Sequence, residues 1–107
     1  MPVVEFVQSY CGESEKMKVR KHIYFSGQVQ GVGFRYRSAY LARSLRLTGW
    51  VKNLWDGRVE MEIQGKESTI KKFLTQLKFQ RFIVIKGIAI EDIPLEERET
   101  SFSVRDY

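Results

Sequence analysis

Cysteine and histidine occur once each in the 107 residues, as Cys11 and His22, and that scarcity removes whole classes of chemistry. A single thiol cannot close an internal disulfide, and nothing in its use points to an oxidising compartment; the expected location is the cytoplasm. One histidine and one cysteine cannot assemble a zinc site of ordinary composition. A thiol phosphatase would carry an arginine six residues after its cysteine, where Met17 stands. No apolar run approaches the roughly 20 residues that span a bilayer. The start, MPVVEFVQSYCGESEK, lacks the basic opening and greasy stretch of a secretory signal. A Walker loop would need Gly-Lys-Ser/Thr, and the glycines at 27, 31 and 33 miss the dinucleotide spacing. No serine, histidine and carboxylate are placed to suggest a triad. Asp56, Glu60 and Glu62 sit near one hairpin without a supporting set, so they read as solvated strand residues rather than magnesium ligands. No metal and no cofactor are expected.

What is present is a chain long enough for one domain with its own core. Its 43% hydrophobic and 29% charged residues are the proportions of an ordinary globule rather than a disordered chain. The net charge of +5 is uneven. Residues 19–58 hold eight Lys/Arg against Asp56 alone, a local +7, whereas the segments on either side are each −1. A field of that kind favours anions, either a small phosphate ester or a nucleic-acid backbone, and its sign cannot choose between them.

Residues 1–17 follow neither period clearly and read as an N-terminal arm, with at most a short strand at Val3–Val7; residues 18–107 read as the domain. "KVRKHIYF" alternates around Val19 and Ile23 as a strand does. Phe34, Ser38, Leu41, Ala42 and Leu45 recur at three- and four-residue steps, the stripe of a helix on a sheet, which Gly49 is expected to end. "WVKNL" and "RVEMEI" read as strands joined through Trp55-Asp56-Gly57, and Asp-Gly there is a hairpin signal. Ile70, Phe73, Leu74 and Leu77 mark a second helix, "RFIVIKGIAIEDI" one long or two short strands, and "SFSVR" a closing strand. The order β-α-β-β-α-β plus a short last strand predicts an α+β, ferredoxin-like sandwich, with an antiparallel sheet and both helices on one face. Many activities share that fold.

Two motifs carry chemistry. "GQVQGVGFRYR", residues 27–37, sets three glycines against two arginines between the first strand and the first helix. Gly27, Gly31 and Gly33 take left-handed backbone angles without a Cβ penalty, so successive N–H groups can turn inward at a helix N-terminus, a geometry that binds anions. Arg35 follows where the first helical turn would aim a forked guanidinium at the cup. Taken alone, a glycine-rich β-α turn is structural more often than phosphate-binding. In "GWVKNLWDGRVE", Asn53 lies on the strand entering the hairpin, beside the expected end of the first strand. It reads equally as a turn residue, and Trp50 as a core aromatic.

The pair together, in that order and 18 residues apart from Arg35 to Asn53, resembles the acylphosphatase family over about Val19 to Val104. The resemblance implies a hydrolase that cleaves the carboxyl-phosphate anhydride of small acyl phosphates without metal. It implies that Arg35 holds the phosphate with loop N–H groups from Gln28, Val29, Gln30, Gly31, Val32, Gly33 and Phe34, and that Asn53 orients the attacking water. The inventory suits that substrate. With no obvious general acid the leaving group must depart unprotonated, which a carboxylate with an acid pKa of about 4 to 5 can do. With no obvious base, the phosphate itself takes the water's proton, as the family mechanism is usually drawn.

Departures from the family are Trp55, which either shields the mouth of the site or covers the sheet, and a connection after the second helix without proline. His22 reads as structural, and Lys71, Lys72 and Lys78 as a solvated helix face. The expected partners are a small acyl phosphate as substrate and inorganic phosphate as product, for a monomer that binds neither nucleic acid nor membrane. Two alternatives stay open. One is a nucleic-acid-binding module using Tyr24, Phe25, Trp50 and Trp55, against which stands the lack of the RNA-binding sheet motif. The other is a non-catalytic, regulatory phosphate-binding domain. A similar domain begins a larger hydrogenase-maturation protein; with no zinc-binding or transferase segment before Tyr107, a free-standing enzyme is the expectation.

Overall fold

The computed structural model describes residues 17–106; the arm expected over 1–17, with its strand at Val3–Val7, lies outside them apart from Met17. The elements run β1 (Lys18–Gln28), α1 (Phe34–Ser44), β2 (Thr48–Asn53), β3 (Val59–Lys66), α2 (Glu67–Lys78), β4 (Val84–Ile93) and β5 (Phe102–Arg105). One five-stranded sheet has the order β4-β1-β3-β2-β5, the ferredoxin-like arrangement with a fifth strand added. In the run β4-β1-β3-β2 each strand is antiparallel to its neighbours. The sheet as a whole is mixed, because β5 lies parallel to β2, with Gly49 opposite Phe102 and Val51 opposite Val104. The reason is directional: after β4 the chain crosses the sheet end in residues 94–101 and enters β5 running the same way as β2.

Alternation along the strands explains the two faces. Ile23 and Phe25 of β1, Val51 of β2, and Val59, Met61 and Ile63 of β3 are fully buried under the helices. They meet Phe34, Ala39 and Ala42 of α1 and Ile70, Phe73 and Leu77 of α2 in one core. The small Ser38, Ala39 and Ala42, all fully buried, bring α1 close to the sheet. Leu41 and Leu45 pack at its margin. Gly49 does not end α1. The chain turns at Arg46, which adopts φ 60°, and Gly49 lies within β2, where a β-carbon would overlap the Glu62 carbonyl.

The opposite face of the sheet is polar. Trp50 is buried there, not in the core: it sits across from Glu62, and the Arg105 guanidinium stands 4.4 Å from its ring centroid. Glu60 and Glu62 are likewise partnered rather than solvated. His22 Nε2 and Glu60 Oε2 are 2.7 Å apart, and Arg20 Nε donates to Glu62 Oε1 at 2.9 Å. Arg20 is only 4% exposed and forks onto Glu99, at 2.7 and 3.1 Å. Gln64 accepts from the Glu96 N–H and donates to the Glu96 carbonyl. These bonds pin the crossing segment to the sheet, and the Glu99 hydrogen bond chiefly raises the Arg20 pKa further.

Replacing Arg20 with Met would strand two carboxylates, each partly wet. The expected loss is about 2–3 kcal/mol, below that of a fully buried pair. A lowered urea midpoint with unchanged slope is the measurement.

Candidate anion-binding site

The ends of β1, β2 and β5 and the starts of β3 and β4 share one end of the sheet, where α1 also begins. The loop leaving β1 is shaped by its glycines. At Gly27 the β1–β4 register shifts after Ser26; Gly27 has φ 119°, and a β-carbon there would meet the Val84 carbonyl and the Lys86 N–H. Gly31 and Gly33 adopt φ 76° and 79°. Val29 and Phe34 are sunk in the core at either end, and Val32 packs at its margin. The side chains of Val29 and Phe34 are thereby turned away from solvent, and that of Val32 partly so.

Among the described residues, the backbone N–H groups of Gly31, Val32 and Gly33 have no backbone acceptor. The first turn of α1 adds more free donors, because its N-cap is Gly33, without a side-chain cap and with no acidic residue in the first turn. The result is a cluster of unpaired N–H groups at the positive end of a helix dipole.

Both loop glutamines use their side chains elsewhere. Gln28 Nε2 donates to the Phe82 carbonyl at 3.5 Å. Gln30 Nε2 donates to the carbonyls of Leu54 and Arg58 at 2.7 and 2.9 Å, which staples the loop to the β2–β3 hairpin. That hairpin is closed by Leu54 N–H to Arg58 carbonyl at 2.8 Å. Gly57 at φ 97° completes the turn, and the Asp56 carboxylate accepts from the Arg58 N–H and Nε. The Arg58 N–H, foremost, holds the Asp56 carboxyl below its ordinary pKa.

Arg35 lies on the first turn of α1. Its Nη1 donates to the Arg105 carbonyl at 3.0 Å and to Asp106 Oδ1 at 3.2 Å. Both hydrogens of that nitrogen are thereby used, and the Nε/Nη2 edge stays free for a two-point contact with an anion. Asn53 ends β2 on the helix-covered face. Register puts it in one row with Val59 and Phe25, so β3 separates it from β1 rather than leaving the two strands adjacent. Its Oδ1 is buried and has no hydrogen-bond partner, the sole such side-chain atom among the described residues. Buried carbonyl oxygens without partners are costly, which sets this one apart from the satisfied polar groups around it.

Three of the four aromatics that favoured nucleic acid are not free platforms. Phe25 is in the core, Trp50 lies under Arg105, and Tyr24 has the Arg58 guanidinium 4.6 Å from its ring centroid. Trp55, 95% exposed, covers neither sheet nor site. Among the described residues, no three His, Cys, Asp or Glu side chains converge as metal ligands would. What sequence reasoning missed is the Gln30 staple and the tether of Arg35 by Arg105 and Asp106. Each joins residues distant in sequence, and no local signal announces either.

Fold and site together define a class: a ferredoxin-like sandwich with an anion cradle after its first strand. The acylphosphatase family profile matches residues 21–104. An acylphosphatase of Bifidobacterium longum is 43% identical over 81% of this chain and 92% of its own length. The solved structure of an acylphosphatase from Coxiella burnetii superposes with a TM-score of 0.77 at 36% identity, covering 85% of this chain and 96% of that one. HypF of T. kodakarensis matches at TM-score 0.73 and 32% identity, over 85% of this chain but 12% of its own. The chain belongs to the acylphosphatase family and is a hydrolase of that type.

Two outcomes test the scaffold. Gln30→Ala removes both staple bonds and is expected to cost about 1–2 kcal/mol, with faster amide exchange confined to residues 54–58. The turn contribution of Asp56 is present above the ordinary carboxylate pKa and is lost as pH falls through its lowered value. An NMR titration of Asp56 should therefore report a midpoint below that of a free aspartate, together with the shift of the Arg58 amide.

Proposed function

We propose that the protein cleaves the carboxyl-phosphate anhydride of small acyl phosphates, with the phosphate held by Arg35 and the loop N–H groups and the water oriented by Asn53. The observation that carries this reading is the unpartnered, buried Oδ1 of Asn53 at the same sheet end as a loop of unpaired N–H donors. One element offers an acceptor for water and the other offers donors for an oxyanion.

The chemistry follows from what each group can do. The phosphoryl group sits among N–H donors at the start of α1, with two oxygens on the free edge of Arg35. Water donates one hydrogen to Asn53 Oδ1, which turns a lone pair toward phosphorus. The P–O bond to the acyl group breaks, and the carboxylate leaves with the electron pair. The carboxylates at this end are already engaged, Asp56 with Arg58, Asp106 with Arg35, and Glu60 with His22 and Lys52. A phosphate oxygen therefore takes the water's proton, and inorganic phosphate departs. Catalysis of this kind is positioning and charge stabilisation, the general pattern for phosphoryl transfer.

Release of carboxylate from acetyl phosphate, followed with a chelator present, tests the reading. Arg35→Ala and Asn53→Ala are each expected to lower kcat by about 10²–10³. Arg35→Lys should restore little, because an ammonium cannot fork. If both alanine variants match wild type, the residue roles are wrong; if wild type itself is inactive, a binding role for the cradle gains the field.

A further inference from the structure

Beside the cradle, Tyr36, Arg37, Tyr40, Leu41 and Gln80 line a cavity of about 380 Å³ that the chemistry above does not use. Arg37 connects the two. Its Nε lies 3.6 Å from where a β-carbon on Gly33 would stand, so its side chain flanks the lip of the phosphate loop. Tyr36 forms the neighbouring wall and has the Arg35 guanidinium 5.9 Å from its ring centroid. The cavity thus begins where the phosphate cup ends.

The partners of Arg37 set it apart from the other arginines around the cavity. At this end of the molecule Arg35 has the Asp106 carboxylate, Arg58 has Asp56, and Arg105 has the Trp50 ring. The Arg37 side chain has one long bond, 3.4 Å, to the neutral Gln80 amide oxygen. An exposed guanidinium with no anionic partner among the described residues, beside two tyrosine rings and a leucine, fits a short apolar stem ending in a negative group.

We infer that Arg37 and this cavity recognise the acyl half of the substrate and select acyl phosphates that carry a second negative charge, a carboxylate or a further phosphate a few atoms from the anhydride. The inference rests on the acyl phosphate reading above. Arg37 acts as a specificity residue: its contact is with the acyl terminus, whereas Arg35 holds the reacting phosphate.

Steady-state hydrolysis of acetyl, succinyl and benzoyl phosphate by wild type, Arg37→Gln and Arg37→Lys is the test. Arg37 is exposed, and continued turnover of acetyl phosphate reports that each variant is folded. Wild type is expected to favour succinyl over acetyl phosphate in kcat/KM, and added salt should shrink that preference. In Arg37→Gln the fall for succinyl phosphate should exceed any fall for acetyl phosphate by about tenfold, the scale of one charge-assisted contact, and appear in KM. Arg37→Lys should recover part of it. Equal losses on both substrates would place Arg37 on the reacting phosphate and overturn the inference. So would a preference for benzoyl phosphate that Arg37→Gln leaves intact, since ring stacking would then be the selector. Wild type cleaving acetyl phosphate without favouring succinyl phosphate overturns the inference alone; wild type cleaving none of the three overturns the underlying reading with it.

Discussion

Unpaired backbone N–H groups are the constraint around which this molecule is arranged. A folded chain normally finds a partner for each one, yet the loop between β1 and α1 holds several open. Two features make that arrangement stable. Val29 and Phe34 drive both loop ends into the core, and Gly31 and Gly33 take left-handed angles that a residue with a β-carbon would resist. A side-chain cap on α1 would have closed the cluster. Glycine at the N-cap leaves it open.

Around that loop the charges are sorted rather than pooled. The count of +7 over residues 19–58 suggests a broad positive field, but much of it is spent inside the fold. Arg20 is locked to Glu62 and Glu99, Arg43 donates to the Phe102 carbonyl, and Arg58 is held by Asp56. What remains at the mouth is a guanidinium fixed by one nitrogen and open on its other edge, and a second one, Arg37, whose hydrogen-bond partner among the described residues is the Gln80 amide. Fixing Arg35 through Nη1 removes rotamer freedom before any ligand arrives, which lowers the entropy lost on binding. The hairpin is fixed in the same spirit, since Gln30 ties its two carbonyls to the loop and keeps the end of β2 at the cradle.

Much of this was legible in the residues alone. Strand and helix order followed from alternation and three- and four-residue spacing, and the Asp-Gly turn marked the hairpin. The glycine loop and the Arg35–Asn53 pairing carried the family. Other features were not legible, for identifiable reasons. Gly49 looked like a helix terminator because its local sequence cannot show that β3 presses against β2 there. Trp50 looked like core because an aromatic is apolar by composition, whereas its face of the sheet is set by register with Glu62. The direction of β5 depended on which way the crossing segment enters the sheet, a matter of three-dimensional path.

The order of elements, the inward faces of β1 and β3 and the place of the glycine-rich loop were determined by the sequence, because each depends on neighbours within a few residues. Tertiary structure decided which atoms of that loop stay free, how Arg35 is aimed, and that the Asn53 carbonyl is left without a donor. Those outcomes depend on contacts between residues about 25 to 70 positions apart, such as Gln30 with Leu54 and Arg35 with Arg105. Only the assembled sheet brings such residues together, since local preferences act over a few positions and carry no information about the partner.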